Sequence, residues 1–282
     1  GWQDWYIGST TRNKGVPKAV QDLTYKVPYN DLDAVEKLLK ENPGGFAGLI
    51  MEPMNVAEPA PNYFKDLKAL LHKHGALLIF DEVITGFRFS LGGAQELFGI
   101  KPDLAAFGKA LGNGMPISAL VGRADVMNVI EEIFFSGTFG GEALSIAAAI
   151  ALIDKMQAQP VIQTIWETGK YIKDSAQELI NQYGLQDVFS FKGKDCWTLL
   201  GIEKHSHATV EAIKTLFIME MVANGVIMIG SNNINYAHNE TDVAQILNAY
   251  NNAFEKISSC LKKNNIETVL DGEILQPVFK VR

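Results

Sequence analysis

Cysteine is scarce: Cys196 and Cys260 are the two in a chain of 282 residues. So few exclude a disulfide framework and fit a reducing compartment, so a cytoplasmic setting is the expectation. Long hydrophobic runs are lacking as well. A bilayer-spanning helix needs about 18 or more apolar residues in succession. The longest run, 143-ALSIAAAIALI-153, is shorter and reads as a core helix, and no signal-peptide pattern is visible. No membrane partner is expected. Basic charge is in deficit, with 25 Lys and Arg against 32 Asp and Glu for a net charge of −7. That argues against nucleic acid, whose phosphates reward a basic surface. Arginine is scarce too, with none between 124 and 281. No G-x-G-x-x-G follows a strand, which weakens a nucleotide-binding reading. His205 and His207 form an H-x-H with no Cys or acid cluster to complete a zinc site, so no metal is expected.

What is present reads as a soluble globular protein, 47% hydrophobic and 20% charged. The length suffices for one large domain or two ordinary ones. The first residue is Gly1, and the aromatic opening GWQDWYIGS has the texture of mid-chain sequence, so a native N-terminus further upstream is expected.

Residues 31-DLDAVEKLLKEN-42 carry apolar side chains at 32, 35, 38 and 39, the spacing of a helix capped by Asp31. A short buried strand, 46-FAGLIME-52, comes next, then a helix over 61–75 that opens on Pro and closes on basic residues and Gly75. Strands are expected at 76-ALLIFDEV-83, 102-PDLAAFG-108 and 117-ISALVG-122. Helices are expected at 92–99, at 124–132, and from 141 to 183 with a break near Pro160. This alternation predicts an α/β domain with a largely parallel sheet. Beyond about residue 185 the texture becomes α+β. Strands are expected at 196–203 and 226-VIMIG-230, helices at 209–224 and 240–263, and a hairpin turn at Asp271-Gly272.

In an α/β sheet, ligands sit beyond the carboxyl ends of the strands. Three expected ends carry polar groups: Glu52, Asp81 and Lys109. Strand alternation places Asp81 and Val83 on one side and Glu82 on the other. An acid beside a branched apolar side chain suits a flat heteroaromatic cation. Lys109 lies in 107-FGKALGNGMP-116, among glycines. A lysine closing an apolar run loses hydration, which lowers its pKa and makes the amine nucleophilic. In 136-SGTFGGE-142, the Thr138 hydroxyl and the backbone N–H groups of a helix start form an expected anion site. An acid for a ring nitrogen, a lysine for an aldehyde and a Gly/Thr turn for a phosphate are three handles for pyridoxal 5′-phosphate.

On 76-ALLIFDEVITGFR-88, 99-GIKPDLAAFGKALGNGMP-116 and 136-SGTFGGE-142, in that order and spacing, the chain resembles the class III, fold-type I pyridoxal-phosphate aminotransferases. Within them it is most similar to glutamate-1-semialdehyde 2,1-aminomutase and its relatives. The resemblance implies that Lys109 forms the Schiff base with the cofactor and then shuttles a proton. It implies that Asp81 holds the ring nitrogen protonated and that Val83 packs on the ring. Gly137 and Thr138 are implied to serve the cofactor phosphate, Thr138 from the neighbouring subunit, hence a homodimer with shared active sites. Glu52 matches a Glu-Pro kept beside the family's site, and Glu58 is the matching candidate for a substrate-directing residue. The implied layout is a cofactor-binding large domain over 1–160 and a smaller C-terminal domain over 161–282. The implied activity moves an amino group from a small-molecule donor to a carbonyl acceptor, as an aminotransferase or aminomutase. Two alternatives stay open: a transaminase of another carbonyl substrate such as a sugar, and a non-catalytic module that only dimerises or binds a ligand. The sequence departs from the family at Gly141-Glu142, where the aminomutase has Gly-Asn, and in lacking an arginine near the C-terminus to clamp a carboxylate.

Overall fold

The computed structural model describes residues 4–276. The chain divides into two compact units, one running to Ala158 and the other from Gln159 to Gln276.

In the first unit, two short helical turns, α1 (Asp4–Gly8) and α2 (Lys18–Gln21), precede α3 (Leu32–Glu41). Asp31 caps α3 by accepting from Ala34 N at 2.9 Å, and the apolar stripe buries Val35 and Leu39. Strand β1 (Gly48–Met51) follows, then α4 (Tyr63–Lys73), whose Tyr63, Phe64, Leu67 and Leu71 are buried. Next come β2 (Leu77–Asp81), α5 (Ala94–Leu97), β3 (Leu104–Phe107) and β4 (Ala119–Gly122). The unit continues with α6 (Ala124–Met127), a 3-10 turn (Asn128–Glu132) and α7 (Ala143–Ala158).

The sheet order is β1-β2-β3-β4, with the first three parallel and β4 antiparallel to β3. Alternation sorts the faces. Leu49, Met51, Leu78, Phe80, Ala105 and Phe107 pack with α3 and α4 in one core cluster. Fully burying an aliphatic or aromatic side chain of this size stabilises by about 1.5–3 kcal/mol. Ile50, Ile79, Asp81 and Ala106 take the other face.

At the amino end of the sheet, the fully buried Asp103 enters β3. It accepts from Leu78 N at 2.8 Å, lies 2.8 Å from His72 Nε2, and accepts from Arg123 Nη1 at 3.1 Å. Burial pushes its carboxyl up, but these hydrogen bonds together hold it below the ordinary aspartate value. Charge is thus consumed structurally at one end of the sheet, leaving the carboxyl ends for chemistry.

The second unit holds α8 (Val161–Gln182), β5 (Phe189–Lys194), β6 (Trp197–Ile202), α9 (Val210–Ala223), β7 (Ser231–Asn233) and α10 (Glu240–Lys263). An antiparallel β5-β6-β7 sheet packs on the helices over Phe189, Phe217, Tyr250 and Phe254, all buried. The buried Tyr250 hydroxyl donates to Asn232 Oδ1 at 2.9 Å, and Asn232 Nδ2 donates to Thr198 Oγ1 at 3.0 Å. Two expectations fail in this unit. The run 226–230 is not a strand: Ile227 and Ile229 are 91% and 77% exposed, and pairing begins only at Ser231. Asp271-Gly272 forms a bend rather than a hairpin, with no flanking strands among the described residues.

Candidate active site

The register of the parallel strands assembles the site. Met51 pairs with Phe80, and Asp81 pairs with Ala106, so Glu52, Asp81 and the Lys109 turn emerge at the carboxyl ends of adjacent strands. Asp81 closes β2, half-buried, and its Oδ1 accepts from Val83 N at 3.0 Å. The strand ends there, so Val83 is placed by a turn and not by strand alternation. Its position still serves the site, because a Cβ built at Gly108 would meet the two Val83 methyls at 3.5 and 3.7 Å. Val83 therefore lies against the backbone that carries Lys109.

Glu82 turns away from Asp81 and is fully buried. Its carboxylate accepts from Ala94 N at 2.8 Å, from Gln95 N at 2.7 Å and from the Thr85 hydroxyl. It fastens the start of α5 and with it the turn that follows Asp81. Gly86 allows that turn: a Cβ there would stand 2.4 Å from the Phe107 ring and 2.7 Å from Glu82 O.

Lys109 opens a 3-10 turn (Lys109–Leu111) after the extended Gly108. Its φ is +43°, a left-handed conformation that a non-glycine residue adopts at a cost of about 1–2 kcal/mol. Leu111 is buried and anchors the turn, α7 packs beside it, and Asn113 and Gly114 reverse the chain with φ of +45° and +108°. The strained position is thus the expected nucleophile, whose side chain is exposed. Strain of this kind gathers at functional sites.

Glu52 follows β1, and Asn55 Nδ2 donates to its Oε2 at 2.9 Å. Its surface is partly open to solvent, yet the packing around it raises its carboxyl pKa, chiefly by burial. Asn55 and the charge of Lys109 oppose that rise, while the charge of Asp81 adds to it. The strand register sets Glu52, Asp81 and Lys109 at the same end of the sheet. Glu58 stands elsewhere on the same loop: Asn30 Nδ2 donates to its carbonyl at 2.9 Å, and its charge acts on Tyr29. Tyr29 in turn donates to Pro53 O at 2.6 Å, tying the loop down just past Glu52.

Gly137 and Thr138 lie on an exposed turn, with Gly140 N donating to Gly137 O at 3.0 Å. The expected use of the helix start as an anion site requires a correction. Helix α7 begins at Ala143, and the Glu142 carboxylate itself accepts from Leu144 N at 2.8 Å and Ser145 N at 2.7 Å. The first N–H groups are occupied by the protein's own anion. Those bonds and the Ser145 hydroxyl hold Glu142 below the usual glutamate range, the hydroxyl foremost. Any anion contact at Thr138 is thus made by the turn and not by the helix terminus.

Residues 6–258 match the family described as aminotransferase class-III. The chain belongs to that family. Among its class III relatives, glutamate-1-semialdehyde 2,1-aminomutase of Methanosarcina acetivorans is 35% identical over 264 residues, covering 86% of this chain and 62% of that protein. The 3-aminobutyryl-CoA aminotransferase of Cloacimonas acidaminovorans is 31% identical over 270 residues, covering 93% and 64%. The chain thus spans less than two thirds of the length of these curated relatives. The FumI protein of Sphingopyxis sp. MTA144, solved as its PLP internal aldimine form, superposes with a TM-score of 0.84 at 23% identity, over 93% of this chain and 63% of that one. That likeness shows the shared fold, the fold-type I architecture of class III transaminases.

Two contributors escaped the sequence reading. Asn55 was legible only as part of Glu-Pro-Met-Asn, and its bond to Glu52 depends on how the loop folds back. Glu142 read as a departure from the family, although a side-chain oxygen just ahead of a helix is a recognisable capping signal.

Proposed function

We propose that this class III chain is a pyridoxal 5′-phosphate-dependent aminotransferase or aminomutase, similar in activity to glutamate-1-semialdehyde 2,1-aminomutase. It would move an amino group between a small-molecule donor and a carbonyl acceptor. The observation that carries the reading is the meeting of Asp81 and the backbone-strained Lys109 at the carboxyl ends of β2 and β3, with Val83 against Gly108. These residues fit the cofactor: an amine for its aldehyde, a carboxylate for its ring nitrogen and a branched apolar surface for its ring. Gly137 and Thr138 would serve its phosphate.

When bound, the cofactor supplies an electron-withdrawing ring that acidifies the carbon bearing the transferred nitrogen. The Asp81 carboxylate would hold the ring nitrogen of the bound cofactor and favour its protonated form. The Lys109 amine would hold and move the proton of the carbon that bears the transferred nitrogen, as general base and then acid. Glu52 lines the same end of the sheet, and Glu58 is the outer candidate for contact with substrate.

The large cofactor-binding domain is assigned to 1–160 and the smaller domain to 161–282. A homodimer with shared sites is supported by Ile133, Phe134, Phe135 and Phe139, which flank Thr138 on an exposed loop, Phe134 being 96% exposed. A second copy covering that loop would bury them and bring Thr138 to its neighbour's site. A cytoplasmic setting is supported by the scarcity of cysteine, Cys196 and Cys260 both being buried and in no disulfide among the described residues. Among the described residues no helix is long and apolar enough to cross a membrane.

Mixing the cofactor-loaded full-length protein with a panel of amino donors, and following the cofactor's visible spectrum, tests the reading. Conversion to the amino form of the cofactor by at least one donor is expected. A loaded protein that no donor converts would leave a ligand-binding module instead.

A further inference from the structure

The loop between β1 and α4 leaves the carboxyl end of β1, where Met51 pairs with Phe80 and Glu52 comes level with Asp81. Ligands of parallel α/β sheets bind beyond such strand ends, so this loop forms one wall of the candidate site. Its crest, Asn55 to Glu58, is exposed, Val56 to 47%. Both feet of the crest are fixed from outside the loop, by two consecutive residues. At the near foot the Tyr29 hydroxyl donates to Pro53 O at 2.6 Å. At the far foot Asn30 Nδ2 donates to Glu58 O at 2.9 Å, and Asn30 Oδ1 accepts from Ala60 N at 2.9 Å. Ala60 O in turn accepts from Tyr63 N at 3.0 Å, which carries the foot into α4.

These two residues are themselves rooted. The Tyr29 ring lies 5.4 Å from the ring of the buried Tyr63 and packs against the core cluster. Burial foremost raises the pKa of its hydroxyl, which therefore stays a donor at ordinary pH. Asn30 has a left-handed φ of +65°, a conformation that asparagine tolerates better than most residues. The next residue, Asp31, caps α3. Neither Tyr29 nor Asn30 belongs to the strand ends that carry Asp81 and Lys109.

We propose that Tyr29 and Asn30 are positioning residues for substrate: together they clamp the 53–60 loop so that its crest stands as a fixed wall over the candidate site. The inference rests on the reading of that site as a transaminase centre. With the clamp released, the wall is in place for only part of the time, and the affinity for a donor falls by that fraction. Asp81, Val83 and Lys109 are carried by β2 and the turns after β2 and β3, so cofactor binding is left in place.

Asn30→Gly removes both side-chain bonds of the far foot while relaxing the left-handed backbone, which spares the fold. Tyr29→Phe removes the bond of the near foot and keeps the ring. The test uses the full-length, cofactor-loaded protein in two arms. Hydrogen exchange over residues 54–60 without substrate is expected to quicken about tenfold in N30G, and less in Y29F. The second arm follows the cofactor's visible spectrum against the concentration of L-glutamate, L-alanine, 4-aminobutyrate and benzylamine. N30G is expected to raise the half-saturating concentration of an accepted donor about fivefold or more, with affinity for pyridoxal 5′-phosphate held within about twofold. Unchanged exchange in N30G overturns the clamp. Equal losses of donor and cofactor affinity overturn the proposal by showing a general loosening of the unit. A donor that converts the unaltered protein and saturates N30G at the same concentration refutes this inference alone. A protein that none of the four donors converts refutes the transaminase reading and the substrate role of the wall with it, while the exchange arm still decides the clamp.

Discussion

Glu82→Ala removes a fully buried carboxylate that accepts three hydrogen bonds, from Ala94 N, Gln95 N and the Thr85 hydroxyl. Hydrogen bonds to a charged group contribute about 1.5–3 kcal/mol each, and losses within one cluster do not add fully. Part of the loss is offset because a charge no longer has to be buried. The net cost is about 3–5 kcal/mol, a large share of the 5–15 kcal/mol that ordinarily holds a domain folded. Glu82→Gln keeps the volume but turns an NH2 group toward one of three donors, and about 2 kcal/mol is expected. Urea denaturation gives the stability difference from the midpoint at constant slope. Hydrogen exchange over residues 92–98 gives the local effect, with protection falling first at the start of α5. An alanine variant within about 0.5 kcal/mol of the unaltered protein, with unchanged exchange in that segment, would refute the account of Glu82 as the fastener of the turn behind Asp81.

Asp103→Asn is expected to cost about 2–4 kcal/mol at neutral pH, since His72 and Arg123 lose the charge they face. Because the folded carboxyl lies below its ordinary value, its contribution is complete above the unfolded pKa of about 3.9 and fades as pH falls further. Stability curves of the two proteins should therefore converge below about pH 4, and a gap that stays constant into acid would contradict this. Asn239→Ala breaks the capping box at the start of α10, in which Asn239 Oδ1 accepts from Asp242 N at 3.2 Å and Asn239 N donates to Asp242 Oδ2 at 3.0 Å. A loss of about 1 kcal/mol is expected by urea denaturation, and no loss would show that the cap is idle.

Local chemistry was legible in the sequence where a few neighbouring residues settle it. Asp31 ahead of apolar residues at 32, 35, 38 and 39 specifies α3 within a residue or so. Likewise 76-ALLIFDEV-83 and 102-PDLAAFG-108 announce buried strands, and both end near the expected acid and lysine. What escaped depends on partners distant in sequence. Strand β5, 189-FSFKGK-194, is unremarkable alone and forms because Phe189 to Lys194 find Ile202 to Trp197 across the ladder. The run 226-VIMIG-230 has the composition of a strand, but among the described residues its contact with the ladder is Leu200 N to Gly230 O at 2.9 Å. At the site, the roles of Asp81 and Glu82 followed from alternation, whereas the place of Val83 came from the turn that Gly86 permits. The proximity of Glu52 to Asp81 is a matter of register, which one strand's sequence does not contain.

The central claim is that Lys109 is the residue that joins the cofactor. Pyridoxal 5′-phosphate added to the full-length protein, followed by borohydride reduction, proteolysis and mass spectrometry, tests it directly. The account predicts a visible absorption band on mixing and a pyridoxyl group fixed on Lys109, both lost in Lys109→Ala. A reduced adduct on other lysines with Lys109 unmodified would contradict it.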